Sequence, residues 1–246
     1  MENLLETDNG KSLEFLLTYP LFDEKTFEER MRELSSLDIN AVFSFGNVQL
    51  KFSHIIGKGS VGLVTLVKSK NKLLALKIRR TDANRVNMYD EVLYHSLANS
   101  IGIGPFLVNF SENFILMEYV KGLNIESWYD SQTSDKKLLH CTNEILRQSF
   151  LLDCLNLDHG QLSKLDRHIV VSPDGLPTIL DFETSSTKRR CSNVTSVSQS
   201  IFLHGPIQAK LADLINKERT DVIKSIKEYK KQMNRETFQC ILDLLK

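Results

Sequence analysis

The residues with the clearest chemical promise run Gly57-Lys58-Gly59-Ser60-Val61-Gly62-Leu63-Val64, a complete G-x-G-x-x-G-x-V pattern. Three glycines let backbone N–H groups approach phosphate oxygens with no Cβ in the way. The contacts expected there are Gly57, Lys58, Gly59, Ser60, Gly62 and Val64. Plain turns also carry such glycines, so the following residues decide the meaning. A dinucleotide fingerprint needs a helix directly afterwards and a carboxylate about 20 residues on. Here an apolar strand-like run follows, Gly62 to Val67, which disfavours that reading.

Lys77 stands in Ala75-Leu76-Lys77-Ile78, one strand later. An ammonium emerging from an apolar strand is costly unless it is paired or used. The bland alternative is an edge-strand lysine reaching out to water. Glu91 is the expected partner, because Val92, Leu93, Tyr94 and Leu97 put its helix near the sheet; Asp90 competes for the role. Either carboxylate could instead be solvated. Asp181 follows Ile179 and Leu180, which makes it a carboxylate at the mouth of a buried strand, suited to holding Mg²⁺ against phosphates. A turn-capping aspartate is the alternative. Between these groups lies Asp158-His159-Gly160-Gln161-Leu162-Ser163-Lys164-Leu165-Asp166.

The elements that must position these groups follow from periodicity. Residues 1–45 read as helical, with Asp23 capping a helix that carries Phe27, Met31 and Leu34 on one face. From residue 46 the period becomes two: Val48 to Phe52, Gly62 to Val67 and Leu73 to Ile78, with a polar turn at 69–72. A helix is expected over 86–99, ended by Gly102, Gly104 and Pro105, then strands at Val108–Phe110 and Phe114–Val120. The sheet therefore has about five strands. Beyond Gly122 the pattern is mostly helical, with Ile145 to Leu157 a buried helix and short strands at 169–171 and 178–180. Two amphipathic faces follow, Val222, Ile226, Tyr229 and Met233, then Phe238, Ile241, Leu242 and Leu245. Residues 184–200 hold nine Ser/Thr in seventeen positions around Lys188-Arg189-Arg190 and read as a mobile polar connection or a modified, substrate-facing loop. His168 reads as structural.

Composition bounds the rest. The chain has 246 residues, 41% hydrophobic and 25% charged, which excludes collagen-like, low-complexity and wholly disordered classes. Thirty-one basic and thirty-one acidic residues cancel, so no global field favours nucleic acid or a ribonucleoprotein. No apolar run reaches the roughly 18 residues a bilayer requires. The acidic start Met1-Glu2-Asn3-Leu4-Leu5-Glu6 lacks a signal pattern, so a cytoplasmic chain without membrane partners is expected. In that setting the sequon Asn193-Val194-Thr195 is idle. Cys141, Cys154, Cys191 and Cys240 form no Cys-x-x-Cys pair and read as isolated thiols.

Taken in order, the glycine loop, Lys77, Glu91, Met117-Glu118-Tyr119-Val120, His159-Gly160 and Asp181-Phe182-Glu183 resemble the protein-kinase-like superfamily over roughly residues 50–200. The His159-Gly160 pair is more similar to RIO-type and antibiotic- or choline-kinase-type relatives than to ordinary kinases. The small size is similar to predicted archaeal serine/threonine kinases related to the RIO group. The resemblance implies an α+β fold with a helical extension over 1–45, a β-rich lobe over 46–120 and a shortened helical lobe over 121–246. It implies ATP and Mg²⁺ between the lobes, an adenine edge on backbone groups of Glu118 and Val120, and catalytic roles for Lys77, Glu91, Gln161, Asp166 and Asp181. Asp166 and Asp181 would be the metal ligands. Gln161 stands where the family places its catalytic Asp, Asp166 replaces a metal-binding Asn, and Glu183 replaces a glycine. The implied function is serine/threonine protein phosphorylation; a nucleotide-binding pseudokinase scaffold and a small-molecule kinase are the alternatives.

Overall fold

The computed structural model describes residues 2–3, 10–215 and 217–246. Met1 and residues 4–9, the start of the expected helical extension, lie outside the described residues. The chain divides into two compact units, Met1–Leu93 with Pro105–Tyr119, and Tyr94–Gly104 with Val120–Lys246. The chain passes from the first unit to the second between Tyr119 and Val120, and residues 94–104 belong to the second.

The first unit contains β1 (Glu2–Asn3), α1 (Lys11–Thr18), α2 (Glu24–Ser36), β2 (Ile39–Ser44), β3 (Val48–Gln49), β4 (His54–Ile55), β5 (Gly57–Lys58), β6 (Gly62–Ser69), β7 (Lys72–Arg79), the first turn of α3 (Tyr89–Asn99), β8 (Leu107–Phe110) and β9 (Phe114–Glu118). Seven strands form an antiparallel sheet in the order β1-β2-β6-β7-β9-β8, with β5 on β6, and β3 pairs β4 separately. The expected count of five was low, and the reading of 1–45 as helical is corrected at β2. Asp38 takes a left-handed φ of 55°, which ends the helical path after α2 and turns the chain into β2. Ala41 and Val42 are then buried against β6. The expected strand at Val48–Phe52 shrinks to its first two residues.

The β6–β7 hairpin has the two-residue turn its sequence suggests. Lys70 and Asn71 have φ of 46° and 68°, the primed-turn conformation whose twist matches that of paired strands. Asp23 caps α2 by accepting the Thr26 N–H at 2.7 Å. Leu16, Leu17, Leu34, Val42, Leu63, Val67, Leu76 and Phe114 form the core under the sheet, so α1 and α2 are part of this unit's core.

The second unit contains the remainder of α3, then β10 (Leu123–Asn124), α4 (Ile125–Ser131), α5 (Asp135–Cys154), α6 (Leu165–His168), β11 (Ile169–Val171), β12 (Pro177–Ile179), α7 (Asn193–Phe202), α8 (Pro206–Leu211), α9 (Arg219–Gln232), α10 (Arg235–Leu242) and a closing 3-10 turn at Asp243–Leu245. β10, β11 and β12 form a small antiparallel sheet. Both amphipathic faces read from the sequence pack into the core, with Tyr229 and Ile241 fully buried.

The polar stretch at 184–200 is the largest departure. Its second half is α7, with Val194, Val197 and Ile201 fully buried. The Asp153 carboxylate accepts the N–H groups of Asn193 and Val194 at 3.1 and 3.2 Å, the Asn193 side-chain amide at 2.8 Å and the Tyr229 hydroxyl at 2.9 Å. A carboxylate placed there satisfies first-turn donors and favours the helix dipole. The hydroxyls that suggested mobility are absorbed locally, as in Thr195 Oγ1 donating to the Ser192 carbonyl at 2.9 Å. The four cysteines are free thiols, Cys141 and Cys191 buried, Cys154 and Cys240 exposed. The fold class is α+β, and no helix among the described residues is long and apolar enough to cross a membrane.

Candidate active site

In the first unit the glycine run forms the β5–β6 hairpin, with Gly57 opposite Val64 and Lys58 opposite Leu63. The Gly59 N–H donates to the Gly62 carbonyl at 2.8 Å, and exposed Ser60 lies at the tip. None of the three glycines has a left-handed φ. Gly62 is required for a different reason. A Cβ there would lie 3.1 Å from Cγ and Cε of Lys77 and from the Ile78 carbonyl oxygen. The corresponding positions at Gly57 and Gly59 meet nothing closer than 4.0 and 3.6 Å. Gly62 therefore clears a path for the Lys77 side chain.

Lys77 is not on an edge. It sits on β7, hydrogen-bonded between β6 and β9 with Val64 and Ile115 as register partners. Its Nζ lies 2.6 Å from Glu91 Oε1, with side-chain exposures of only 7% and 3%. Asp90 faces solvent, so Glu91 is the paired carboxylate. Helix α3 starts where the Met88 N–H bonds the Glu112 carbonyl at 3.0 Å, three residues before Glu91. At the end of β9, Glu118 opposes Leu74; its N–H donates to the Phe106 carbonyl at 2.9 Å, and its carboxylate accepts from the Phe106 N–H at 3.4 Å.

Arg80, Tyr19 and Asp82 escaped the sequence reading. Arg80 Nη1 donates to the Gly59 carbonyl at 3.0 Å, tethering the hairpin tip. Asp82 holds the same guanidinium with two bonds, at 2.8 and 2.7 Å, and raises its pKa further. The Tyr19 ring lies 5.1 Å from that guanidinium and 4.8 Å from Lys58 Nζ. Only the Arg79-Arg80 pair after an apolar strand hints at this, and a ring contact some 60 residues away leaves no local pattern.

In the second unit the chain around His159 is pinned from one side. Asp158 and Ser186 exchange backbone hydrogen bonds at 3.0 and 2.9 Å. The Asp158 carboxylate accepts from Ser192 N–H, Ser192 Oγ and Arg189 Nε, each at 3.0 Å. His159 is fully buried, and burial pushes its pKa down to about 4. The ring is then neutral near pH 7, with Nε2 donating to the Leu180 carbonyl at 2.9 Å. Gly160 has φ 85°, and a Cβ there would lie 2.5 Å from Arg189 Nη2 and 3.0 Å from the Thr184 carbonyl oxygen. Half-buried Gln161 begins the next turn, its carbonyl accepting the Lys164 N–H at 3.0 Å.

Asp166 lies in the first turn of α6 and is exposed. Burial raises the pKa of nearby Glu126, and the charges of Asp166 and Asp130 add to the rise. Asp181 is half-buried with a left-handed φ of 68°, its Oδ2 3.8 Å from Nδ1 of buried His168. Phe182 beside it is buried, stacked on His95 at 5.2 Å and edge-on to His159 at 5.5 Å. The left-handed residue of the Asp181-Phe182-Glu183 run is the first, so the backbone demands no glycine at 183. Chemically, the first unit offers a fixed ammonium beside a hairpin. The second carries the exposed Asp166 carboxylate, the half-buried Asp181 carboxylate and the half-buried neutral amide of Gln161. Neither the protein-family models nor the curated proteins searched match this chain.

Proposed function

We propose that this chain is a Mg²⁺-dependent ATP phosphotransferase acting on serine or threonine hydroxyls of proteins, with a kinase-like division of labour between its two units. The observation that carries the reading is the buried Lys77–Glu91 pair at 2.6 Å, with Gly62 cleared for the lysine stem. A buried ammonium held in one direction behind a glycine hairpin suits phosphate oxygens as a fixed point charge. Asp166 and Asp181 are the residues that would hold Mg²⁺, whose chemistry is to neutralise charge on the phosphates. Glu118 and Val120 are the proposed adenine-edge contacts.

Gln161 carries no charge, so it orients the acceptor hydroxyl and does not take its proton. Phosphoryl transfer depends mostly on positioning and charge neutralisation, and it survives the loss of a base at reduced rate. The same residue favours a second reading, a scaffold that binds nucleotide without turnover. Labelled ATP and Mg²⁺ with generic protein acceptors separate the two. Phosphotransferase activity predicts transfer by the wild type, its loss in Lys77→Ala and Asp181→Ala, and preserved or higher transfer in Gln161→Asp. General-base help reaches roughly 10²–10⁴-fold in favourable cases, and a site adapted to glutamine gains less. ATP binding with no transfer by wild type or Gln161→Asp leaves the scaffold. Unchanged ATP affinity in both Lys77→Ala and Asp181→Ala sinks both readings.

A further inference from the structure

We infer that the α1–α2 segment is a positioning element for the phosphate-anchoring groups of the first unit, acting through Tyr19 and Glu33. The inference deepens the phosphotransferase reading and rests on it for the meaning of Lys77. The first contact point lies under the glycine hairpin. Tyr19 follows α1, and its carbonyl accepts the Thr81 N–H at 3.0 Å, fixing it beside the end of β7. Its ring faces the Lys58 ammonium at 4.8 Å and the Arg80 guanidinium at 5.1 Å. Arg80 in turn holds the Gly59 carbonyl. One aromatic ring therefore braces both the cation on the hairpin and the cation that tethers its tip.

The second contact point lies under α3. Glu33, on α2, accepts the Ser111 hydroxyl at 2.5 Å, the Asn113 N–H at 3.0 Å and the Asn113 side-chain amide at 2.5 Å. These residues form the β8–β9 turn. From that turn, Asn113 Oδ1 accepts from Arg79 Nε at 2.9 Å and its carbonyl accepts the Arg79 N–H at 2.8 Å, two residues beyond Lys77. The Glu112 carbonyl accepts the Met88 N–H at 3.0 Å, three residues before Glu91. Glu33 thus fixes the turn that registers both partners of the 2.6 Å pair. Arg30, one helical turn earlier and 2% exposed, ties the arrangement to α1 by donating to the Leu17 carbonyl, and reaches Asn113 Oδ1 at 3.4 Å. The leucines of α1 and α2 cover the sheet, with Phe15, Tyr19, Phe27 and Met31 packed against the same core. The directional polar contacts at Tyr19 and Glu33 add orientation, and both aim at segments flanking Lys77.

The test uses the full chain with Tyr19→Ala, Tyr19→Phe, Glu33→Ala, Glu33→Gln and, as a control on the exposed side of α2, Glu28→Ala. Three quantities are read: hydrogen exchange at the Met88 to Glu91 amides, the rate at which an amine-acylating reagent modifies Lys77, and Mg·ATP affinity. Glu33→Ala is expected to speed exchange at Met88 and acylation of Lys77 by about tenfold or more, with second-unit amides unchanged. Displacements of about 1 Å cost up to ~10²-fold in well-positioned sites. Should Glu33→Ala fail to fold, Glu33→Gln reports the same quantities, because it keeps one acceptor oxygen of two. Tyr19→Ala is expected to weaken Mg·ATP binding about tenfold, and Tyr19→Phe, which keeps the ring, to restore it. Wild-type exchange and acylation in both Glu33 variants overturn the inference, as does Tyr19→Phe behaving like Tyr19→Ala. A wild type that binds no Mg·ATP refutes the phosphotransferase reading, while exchange and acylation still decide whether Glu33 sets the Lys77–Glu91 pair.

Discussion

Glu91→Ala deprives a buried ammonium of a carboxylate 2.6 Å away. Both side chains are more than nine-tenths buried, so water cannot take the carboxylate's place at full strength. Removing one partner of a buried pair costs roughly 3–5 kcal/mol, because the remaining charge keeps its desolvation penalty. Against a typical total of about 5–15 kcal/mol, that is a large part of the stability. Replacing both partners by apolar groups of similar volume, Lys77→Met with Glu91→Leu, removes the penalty with the charge and is expected to be neutral or stabilising by about 1–4 kcal/mol. The double variant should therefore be several kcal/mol more stable than Glu91→Ala, yet bind no Mg·ATP. The single tryptophan, Trp128, lies in the second unit, so its fluorescence does not follow the first. Urea unfolding read by hydrogen exchange at β6 and β7 amides does. The reasoning fails if Glu91→Ala stays within about 0.5 kcal/mol of wild type, the range of ordinary surface changes. It also fails if the double variant is no more stable than the single.

Two further outcomes follow from the geometry. Gly62→Ala should cost about 1–3 kcal/mol by overpacking and should weaken Mg·ATP binding, since its Cβ would press on the Lys77 stem at 3.1 Å; Gly59→Ala, at 3.6 Å from its nearest neighbour, should be close to neutral in thermal melts, and equal effects at the two sites would contradict this account. Burial depresses the His159 pKa to about 4, so between pH 6.5 and 4 the unfolded chain binds the extra proton and the folded one does not. Stability is then fully present above pH 6.5 and falls as pH drops toward 4, and His159→Gln should flatten that slope in urea midpoints measured across the window; an unchanged slope would place the titration elsewhere.

What could be read from the sequence was local and periodic. β6 and β7 declare themselves by short apolar runs, buried on both faces, and by a turn whose residues accept a left-handed backbone. Glu91 was favoured because apolar Val92, Leu93, Tyr94 and Leu97 follow it, with Asp90 as the competitor, and the structure buries Glu91 and exposes Asp90. The failures share a physical cause. β2 is six residues, and its strand character comes from pairing with β6, which no window over 39–44 contains. α7 was hidden by hydroxyl residues that favour loops in isolation, while a carboxylate forty residues away supplies its first-turn acceptor. The bracing of Arg80 by Tyr19 pairs residues whose types are common and whose separation is long. Motif order located the candidate groups, and it left the groups that hold them in place unseen.

The aspartates of the second unit show why placement decides role. Asp153 and Asp158 are buried, and donors occupy both of their carboxylate oxygens: backbone N–H groups, Asn193 and Tyr229 for the first, Ser192 and Arg189 for the second. A carboxylate so used has little left to give a ligand, and Asp158 organises the loop beside Gln161 even though it opens the motif. Asp166 is exposed, its carboxylate 4.0 Å from Arg167 Nε, and its charge adds to the rise that burial gives the Glu126 pKa. Asp181 holds a left-handed backbone, uncommon for a residue with a Cβ though least costly for Asp and Asn. Its φ of 68° aims the chain so that Phe182 turns inward against His95 and His159. Asp153 and Asp158 therefore serve architecture through saturation, and Asp166 and Asp181 remain the residues proposed for Mg²⁺, a division that the four identical letters in the sequence do not carry.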